Sequence, residues 1–361
     1  MKIKGTHQEM IWVSPSNPML VQTYDQRYFP HQIEIFDIAS HEEAVFAIKE
    51  MVVRGAPLIG ITGAFGYYLT YLEYGSQGKL FKQKVKELRQ ARPTAVNLDW
   101  AIDQMEKYHQ SSSKIGAQQL LEKAIELKND DIETCRQIGE NGLALIEEIS
   151  KKKEGETVNI LTHCNAGWLA CIDWGTATSP IYQAHQKGIK VHVYVDETRP
   201  RNQGANLTAF ELGQEGVPHT LIVDNTGGHL MQHGMVDMVI VGTDRTTKTG
   251  DVANKIGTYL KALAAHDNGV PFYVALPSST IDWEMSDGLK EIPIETRSEK
   301  EVKYMQGLYN KKMVEVLIAP NATKAVNYGF DVTPARLVTK LITEKGVCDA
   351  NEESIKALFN D

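Results

Sequence analysis

The sequence contains no long apolar run and few cysteines. No stretch approaches the roughly 20 apolar residues that a membrane-spanning helix needs, and the N-terminus, MKIKGTHQEMIWV, lacks the apolar centre of a signal peptide. No Cys-x-x-Cys pair occurs among the four cysteines, which are Cys135, Cys164, Cys171 and Cys348. We therefore predict free thiols in a cytoplasmic chain that has no membrane span.

An excess of basic charge is also missing. The chain has 38 Lys and Arg against 46 Asp and Glu, which gives a formal net charge of -8. Because nucleic-acid partners favour basic surfaces, this balance argues against them, but it is compatible with a small anion in a local pocket. The 361 residues are 42% hydrophobic and 23% charged, as is typical of globular proteins, and suffice for one large domain or two ordinary ones.

Two common site signatures are lacking. His229 and His233 have the i,i+4 spacing of a zinc-binding helix, but no Glu lies between them and no third ligand lies nearby. A partly exposed helix face is the better interpretation. No Gly-x-Gly-x-x-Gly motif follows the first strand of the alternating region described below, which argues against a nicotinamide-dependent dehydrogenase.

The first third of the chain has its own pattern. Residues 8–37 contain short β-rich runs separated by Pro, Ser and Asn, which predict a small antiparallel meander. Ser40-His-Glu-Glu43 is a helix capping box. Helical spacing of apolar residues follows over 44–52, 83–92, 98–109 and 117–128. We predict an N-terminal domain over residues 1–126, made of a small antiparallel sheet plus helices.

The remainder of the chain alternates between strands and helices. After a predicted helix over 132–149, strand-like runs occur at 158–163, 191–196, 220–223, 238–243 and 272–276. Such alternation predicts a parallel sheet covered on both faces. We therefore predict an α/β chain whose residues 127–361 form a Rossmann-like domain, although that architecture alone implies no nucleotide ligand.

One predicted strand brings a carboxylate to the functional edge of this sheet. The apolar run 238–242 ends on Thr243-Asp244, and the polar residues 245–249 are predicted to form a loop. Asp251-Val-Ala-Asn254-Lys255 is predicted to open an amphipathic helix. Ligands bind at the carboxyl edge of such sheets, and helix N-termini favour anions. An acid beside an anion site indicates an enzyme that acts on a phosphorylated small molecule.

Cys164 is predicted to reach the same edge, because the run 158–161 continues into Thr162-His-Cys-Asn-Ala-Gly167. One interpretation makes Cys164 a functional group, and the other makes it a small buried apolar residue. A Cys164–His163 pair is not expected, since adjacent strand residues face opposite sides.

The strand-like run 191–196 ends at the same edge with Asp196, and Glu197 follows it. These residues are acid–base candidates. The alternative, which we favour, is that they form loop hydrogen bonds with Arg199 and Arg201.

Arg54-Gly55-Ala56-Pro57 is a candidate phosphate cradle. Pro57 suits the first turn of a helix, Gly55 and Ala56 leave backbone amides open, and Arg54 adds a fork of donors. The glycines at 60, 63 and 66 are interpreted as a smooth face for close helix packing. Arg92 is either a second cationic clamp or an ordinary surface residue.

Together these segments resemble the methylthioribose-1-phosphate isomerase family, whose relatives include ribose-1,5-bisphosphate isomerases and the regulatory subunits of the translation initiation exchange factor. The resemblance covers most of the chain and is carried by RGAPLIGITGAFG (54–66), THCNAG (162–167), DETRPRNQGANLTAFEL (196–212), GDVANKIGTY (250–259), VPFYVALPSSTID (270–282) and FDVTPARLVTKLITEKG (330–346). It implies an aldose–ketose isomerase of methionine salvage that converts 5-methylthioribose 1-phosphate to 5-methylthioribulose 1-phosphate. It also implies a homodimer that uses no metal and no organic cofactor.

The resemblance also assigns site residues. It implies that Asp244 is the proton donor and that Cys164 is the base or transition-state stabiliser. The residues implied to bind substrate are Arg54, Gly55, Ala56, Arg92, Gln203, Asn254 and Lys255. The family pattern has small residues and an Ala-Asn-Gly turn after the catalytic Asp, where this chain has Arg245-Thr-Thr-Lys-Thr249.

That departure leaves the 5-substituent of the substrate open. The alternatives are an isomerase of 5-deoxyribose 1-phosphate or another pentose 1-phosphate, and a non-catalytic regulatory protein that binds a sugar phosphate.

Overall fold

The N-terminal third builds small antiparallel sheets and a layer of helices, in a computed structural model that describes residues 1–75, 78–92 and 95–359. Its strands are β1 (Lys2–Ile3), β2 (Thr6–His7), β3 (Ile11–Ser14), β4 (Asn17–Tyr24) and β5 (Ile35–Ile38). The first two pair with each other, and the other three form an antiparallel sheet in the order β3-β4-β5. Its helices are α1 (His41–Lys49), α2 (Ala56–Tyr74), α3 (Lys79–Arg89), α4 (Val96–Gln110) and α5 (Ala117–Lys152). The predicted meander and helices are confirmed.

The capping box at α1 is present with one change. The Ser40 hydroxyl accepts from the Glu43 amide at 3.1 Å, as the pattern predicts. The Glu43 carboxylate accepts instead from the amide of Ala39, one residue earlier, at 2.7 Å. Both contacts satisfy backbone donors at the helix start.

Glycines let α2 approach its neighbours closely, as the sequence predicts. A Cβ on Gly60 would lie 2.8 Å from the Asn97 carbonyl oxygen of α4, and one on Gly63 would lie 2.5 Å from Leu98 Cδ1. A Cβ on Gly66 would lie 3.1 Å from atoms of Ala44 and Leu88. These positions hold α2 against three other helices and fix the N-terminus of α2.

Helix α5 is one continuous element of 36 residues, whereas the sequence pattern predicts two helices over 117–128 and 132–149. The break between the predicted helices is only Asn129-Asp-Asp131, which contains no Pro or Gly. Weak helix formers of this kind are tolerated in a packed helix. The predicted division between residues 126 and 127 falls inside α5, and that division stays a prediction.

The larger sheet has the Rossmann strand order. Its strands are β6 (Val158–Thr162), β7 (Val191–Asp196), β8 (His219–Ile222), β9 (Met238–Val241), β12 (Phe272–Ala275), β17 (Lys340–Thr343) and β18 (Gly346–Cys348). They lie in the order β18-β17-β12-β9-β6-β7-β8, and all pairs are parallel except β17 with β18. After β6, the chain adds β7 and β8 on one side of it and then β9, β12 and β17 on the other side. The boundary between β6 and β9 is therefore the topological switch point of this fold. The Rossmann-like prediction is confirmed.

Helices and turns connect and cover the sheet. The helices are α6 (Ser179–Gln186), α7 (Ala209–Gln214), α8 (Thr226–Gln232), α9 (Thr258–Asp267), α10 (Gly288–Glu291), α11 (Lys300–Lys303) and α12 (Glu352–Phe359). A π-helical turn at Gly204–Thr208 leads into α7, and 3-10 turns occur at Ser278–Thr280 and Ala335–Leu337. Apolar cores lie on both sides of the sheet. No helix within the described ranges is both long and apolar enough to cross a bilayer.

A second, mixed sheet corrects two predictions. Its strands are β10 (Arg245–Thr247), β11 (Val252–Lys255), β13 (Ile281–Asp282) and β16 (Phe330–Thr333), in the order β13-β10-β11-β16. Residues 245–247 are thus a strand, not part of a loop, and Asn254 and Lys255 lie on a strand, not at a helix N-terminus. The β-branched residues of both segments favour strands once β13 and β16 supply partners. Helix α9 begins only at Thr258, after Gly257 with φ 102°.

Two further strands, β14 (Tyr304–Tyr309) and β15 (Lys312–Leu317), form a separate two-stranded hairpin. Its exposed side chains include Leu308, Tyr309, Val316 and Leu317. The sequence analysis did not predict this hairpin, β17 or β18.

Candidate active site

The switch point of the larger sheet holds a small cavity. Cys164 follows β6 and Asp244 follows β9, so the two residues leave the two strands that flank the switch point. The cavity is lined by Arg54, Gly55, Ala56, Pro57, His163, Cys164, Asn165, Ala166, Ala170, Cys171, Thr176, Gly242, Thr243, Asp244, Asn254 and Pro277. The fold therefore brings together six of the nine predicted site residues around one space.

Cys164 is held by backbone contacts in a left-handed conformation, with φ 62°. Its amide donates to the Thr198 hydroxyl at 2.8 Å, and its carbonyl accepts from the Thr208 hydroxyl at 2.7 Å. The Sγ atom lies 3.9 Å from Nη2 of Arg54. Burial raises the pKa of the Cys164 thiol, although the charges of Arg54 and Lys255 act in the opposite direction. Cys164 is buried, but cationic groups adjoin it, so it is not a simple apolar core residue.

Asp244 is partly buried beside the same cationic groups. Its amide donates to the Ala253 carbonyl at 2.9 Å, which ties the end of β9 to β11. Burial raises the pKa of the Asp244 carboxyl, against the opposing charges of Lys255, Arg54 and Arg92. The carboxyl is thus biased towards its protonated form, as a general acid requires.

The RGAP segment places a helix N-terminus against the cavity. Gly55 has φ 92° and precedes α2 without a side-chain cap, while Pro57 lies in the first turn. A Cβ on Gly55 would lie 2.4 Å from the Ala170 carbonyl oxygen, so only glycine fits here. The uncapped amides of a 19-residue helix and the adjacent Arg54 offer donors to an anion.

Asn254 and Lys255 reach the site from β11. Asn254 Nδ2 donates to the Thr258 hydroxyl at 3.0 Å. Lys255 Nζ lies 4.7 Å from the centroid of the Phe330 ring, a cation–π contact. Burial lowers the pKa of Lys255, whereas the nearby Cys164 and Asp244 raise it. Asn254 therefore lines the cavity, and Lys255 lies close enough for its charge to act on Cys164 and Asp244, although the helix predicted to carry both residues is absent.

Arg92 and Gln203 lie outside the lining of the cavity but are buried near it. Arg92 Nη2 is 3.8 Å from Glu295 Oε2, and the charge of Arg92 acts on Asp244. Within the described residues, Arg92 Nη1 and Gln203 Oε1 have no hydrogen-bond partner. Buried groups without partners are costly, so these two atoms are positions where a polar ligand would be stabilising.

The predicted contacts of Asp196 with nearby arginines are wrong. Asp196 accepts from His163 Nδ1 at 2.7 Å and pairs with Lys261 Nζ at 2.9 Å. Arg199 instead donates to the Val302 carbonyl at 2.8 Å, and Arg201 pairs with Glu301 at 3.0 Å. Although burial alone would raise the pKa of Asp196, His163 and Lys261 together lower it. The last residue of β7 points into the protein, away from the arginines of the following loop.

One group of three possible metal ligands occurs in the described ranges, namely His163, Asp196 and Asp224. The ammonium of Lys261 contacts Asp196 and also donates to the Asp224 carbonyl at 3.0 Å. The positive charge of Lys261 therefore already pairs with the Asp196 carboxylate, in the place where a metal ion would bind. His229 and His233 are not in the group, and His233 Nδ1 lies 2.8 Å from the His229 carbonyl oxygen.

Sequence reasoning missed Glu295, Asn165 and Glu211. Glu295 contacts Arg92 across about two hundred residues of sequence, and no local motif marks it. Asn165 belongs to the Asn-Ala-Gly turn that the sequence analysis quoted, but its partner Arg54 is 111 positions away. Only the turn itself was a usable signal.

Known proteins resemble the whole chain. The model of the Initiation factor 2 subunit family matches residues 52–350. The chain is 57% identical over 366 residues to a methylthioribose-1-phosphate isomerase of Desulfatibacillum aliphaticivorans, covering 100% of this chain and 99% of that protein. It is 55% identical over 362 residues to one of Sinorhizobium medicae, with 99% of each chain covered.

Two solved structures share the fold and about a third of the sequence. The crystal structure of 5-methylthioribose 1-phosphate isomerase from Pyrococcus horikoshii has a TM-score of 0.82 and 34% identity, covering 100% of this chain and 99% of the other. The translation initiation factor eIF-2B subunit delta from A. fulgidus has a TM-score of 0.77 and 34% identity, covering 98% and 100%.

Proposed function

The chain belongs to the Initiation factor 2 subunit family, and we propose that it is the aldose–ketose isomerase that converts 5-methylthioribose 1-phosphate to 5-methylthioribulose 1-phosphate in methionine salvage. The relatives named as that isomerase match along the full chain. The single observation that carries the proposal is the placement of Cys164 and Asp244 at one switch-point cavity, beside the N-terminus of α2. This arrangement pairs an acid and a thiol with an anion site.

The substrate's phosphate is held by the cationic side of the cavity. Arg54 and the backbone of Gly55 and Ala56 line the space next to Cys164, and the charge of Lys255 acts on the thiol from nearby. Arg92 Nη1 and Gln203 Oε1, which lack hydrogen-bond partners within the described residues, are further contacts for the substrate. Holding the phosphate fixes C1 and C2 of the sugar against Asp244 and Cys164, which is the main benefit of positioning.

Asp244 starts the reaction. The anomeric oxygen carries phosphate, so the ring opens only if the ring oxygen is protonated as its bond to C1 breaks. Asp244 donates that proton, and burial raises the pKa of its carboxyl, which favours the protonated form that a donor needs. A hydride then moves from C2 to C1, and the C2 hydroxyl becomes a carbonyl as it releases its proton to the Asp244 carboxylate. Protons and electrons balance within the substrate and this one acid.

The burial of Cys164 favours the hydride path over proton abstraction. Its pKa is raised, so the resting thiol holds its proton and is a poor base. In this path Cys164 stabilises the positive charge that develops at C1. Running the reaction in D2O tests the step: we expect product without deuterium at C1, whereas complete incorporation would show that a base removes the C2 proton.

Direct assay tests the overall proposal. Purified protein is expected to form the ketose from 5-methylthioribose 1-phosphate without added metal or cofactor. Binding of the sugar phosphate without turnover would favour a regulatory role, which the likeness to the translation factor subunit keeps as the second candidate. Asp244→Asn serves as the control for contaminating activity.

The methylthio sugar is preferred to 5-deoxyribose 1-phosphate as the substrate. The departure at 245–249 motivated the alternative, but those residues line no part of the cavity. Arg245 instead contacts Asp282 at 3.2 Å in the second sheet. Competition between the two sugars distinguishes them: a higher kcat/KM for the deoxy sugar would overturn this choice.

We further propose a cytoplasmic homodimer. The four cysteines are free thiols, as expected in a reducing compartment. The exposed apolar side chains of the β14–β15 hairpin are the kind of surface that a second copy covers. Sedimentation velocity tests the assembly, and a monomer at micromolar concentration would contradict it.

A further inference from the structure

Glu211 is a fully buried carboxylate one layer behind the cavity. It lies on α7, where Oε1 accepts from Asn165 Nδ2 at 2.9 Å and from the Leu169 amide at 2.8 Å. Its Oε2 accepts from the Trp168 amide at 3.1 Å and from the Tyr182 hydroxyl at 3.0 Å. Burial raises the pKa of Glu211 to about 7, against the pull of these donors towards the ionised form. The carboxylate has four hydrogen-bond donors but no ion-pair partner, so its burial costs folding free energy. Such a cost suggests a functional role for Glu211.

The carboxylate fixes which way the Asn165 amide points. Asn165 Nδ2 donates to Glu211 and also to the Thr208 hydroxyl at 3.1 Å. With its amino group held on that side, Oδ1 faces the opposite side, where it accepts from Arg54 Nη1. The Asn165 carbonyl accepts from Arg54 Nη2 at 2.9 Å. Asn165 therefore accepts hydrogen bonds from both terminal nitrogens of the Arg54 guanidinium.

Glu211 packs closely against the turn that follows β6. A Cβ on Gly167 would lie 1.6 Å from Glu211 Oε2, so the carboxylate sits directly against the backbone of the turn. The same turn carries Cys164, whose Sγ is 3.9 Å from Arg54. Glu211 thus contacts the same turn that carries the Cys164 thiol and that binds the Arg54 guanidinium.

We propose that Glu211 is a positioning residue that sets the guanidinium of Arg54 for phosphate binding by orienting Asn165. This role rests on the proposed function only in naming the phosphate as part of a sugar phosphate. Glu211 lines no part of the cavity, and it acts through the Asn165 amide. The roles proposed for Asp244 and Cys164 do not require Glu211 directly.

The test is Glu211→Gln, which keeps shape but turns one acceptor atom into a donor. We expect a rise in KM of roughly tenfold, the scale of a lost hydrogen bond to a charged group, with kcat changed less than about threefold. Inorganic phosphate should raise the Tm of the wild type more than that of the variant, since at one ligand concentration the tighter binder is stabilised more. In an Arg54→Ala background the substitution should add nothing, because both changes break one chain of contacts.

Two further variants separate this role from a loss of packing. Tyr182→Phe removes a donor on the Oε2 side and leaves Asn165 in place, so KM should stay at the wild-type value. Asn165→Leu breaks the same chain while retaining Glu211, so it should repeat the rise in KM if Glu211→Gln fails to fold. A wild-type KM and phosphate response in Glu211→Gln or Asn165→Leu, or additive effects with Arg54→Ala, would overturn the proposal. Inactivity of the wild type would count against the proposed function alone, since the phosphate comparison still tests Glu211.

Discussion

At the scale of single residues, the proposed chemistry depends on Asp244 and Cys164. We expect Asp244→Asn and Cys164→Ser each to lower kcat by at least about 100-fold, the scale of lost acid–base help. Both replacements keep the volume of the side chain, so circular dichroism and Tm should show a folded protein. Turnover like that of the wild type in either variant would remove that residue from the mechanism.

The raised pKa of Asp244 also predicts a pH dependence. The unfolded chain releases this proton at the ordinary pKa, near 3.9, whereas the folded state holds it to higher pH. Stability contributed by this group therefore falls as pH rises through the interval between the two values. We expect Asp244→Asn to raise the Tm at about pH 8 but not at about pH 4, as measured by thermal unfolding. An equal Tm difference at both pH values would contradict a raised pKa.

Sequence reasoning placed side chains at the sheet edge correctly where they follow a strand, while the catalytic roles of these residues stay predictions. Cys164 and Asp244 were found because parallel strands end at one edge, whatever the intervening chain does. Arg92–Glu295 and Asn165–Arg54 were not found, because such pairs join segments far apart in sequence and depend on the final packing. Lys255 was expected near the site because of its place in the GDVANKIGTY motif. That expectation did not depend on the predicted helix, which is a strand in the structure.

At the scale of elements, the glycine face of α2 holds the N-terminus of this helix, the proposed anion site, in place. Gly60→Ala would force a Cβ to 2.8 Å from the Asn97 carbonyl oxygen of α4. We expect a loss of about 1–3 kcal/mol of stability, as for overpacking, measured by urea denaturation. Gly228→Ala on α8 is the matched control, because its Cβ would meet Ala264 at an ordinary 3.7 Å. That change should leave stability the same or raise it, since alanine is the better helix former.

Sequence predicted five of the seven strands of the larger sheet, since its central strands β6, β9 and β12 are apolar runs buried on both faces, but it did not predict β17 and β18. The short polar strands β10 and β11 were mistaken for a loop and a helix start, since their stability comes from β13 and β16, which lie further along the chain. Their local composition alone favours neither state.

At the scale of the whole molecule, the cavity is too small for its proposed ligand. Its volume is about 30 Å³, while ligand pockets are typically about 300–1,000 Å³. Contacts between the N-terminal helices and the sheet close it, including Leu58 N to the Ala170 carbonyl at 3.1 Å and Asn97 Nδ2 to the Ser279 hydroxyl at 2.9 Å. The helical layer and the sheet edge must separate before a sugar phosphate enters.

This closed form predicts the kinetics of binding. We expect the observed rate of binding, followed by the fluorescence of the buried Trp168 beside the Cys164 turn, to level off at high ligand concentration as opening becomes limiting. Trp168→Phe should abolish the signal and confirm its source. A rate that keeps rising linearly with ligand concentration would show that the site is open at rest.

Helix α5 has a consequence for the synthesis of the chain. Its later half packs against α6, and Asn141 Nδ2 donates to the Thr343 carbonyl at 2.8 Å, about two hundred residues downstream. A nascent chain that has emerged only as far as α5 therefore presents an unburied helical surface until the ribosome has made β17. The N-terminal helices cannot finish folding ahead of the C-terminal strands, so the interval before the last fifth of the chain emerges is when the newborn protein most needs protection from aggregation.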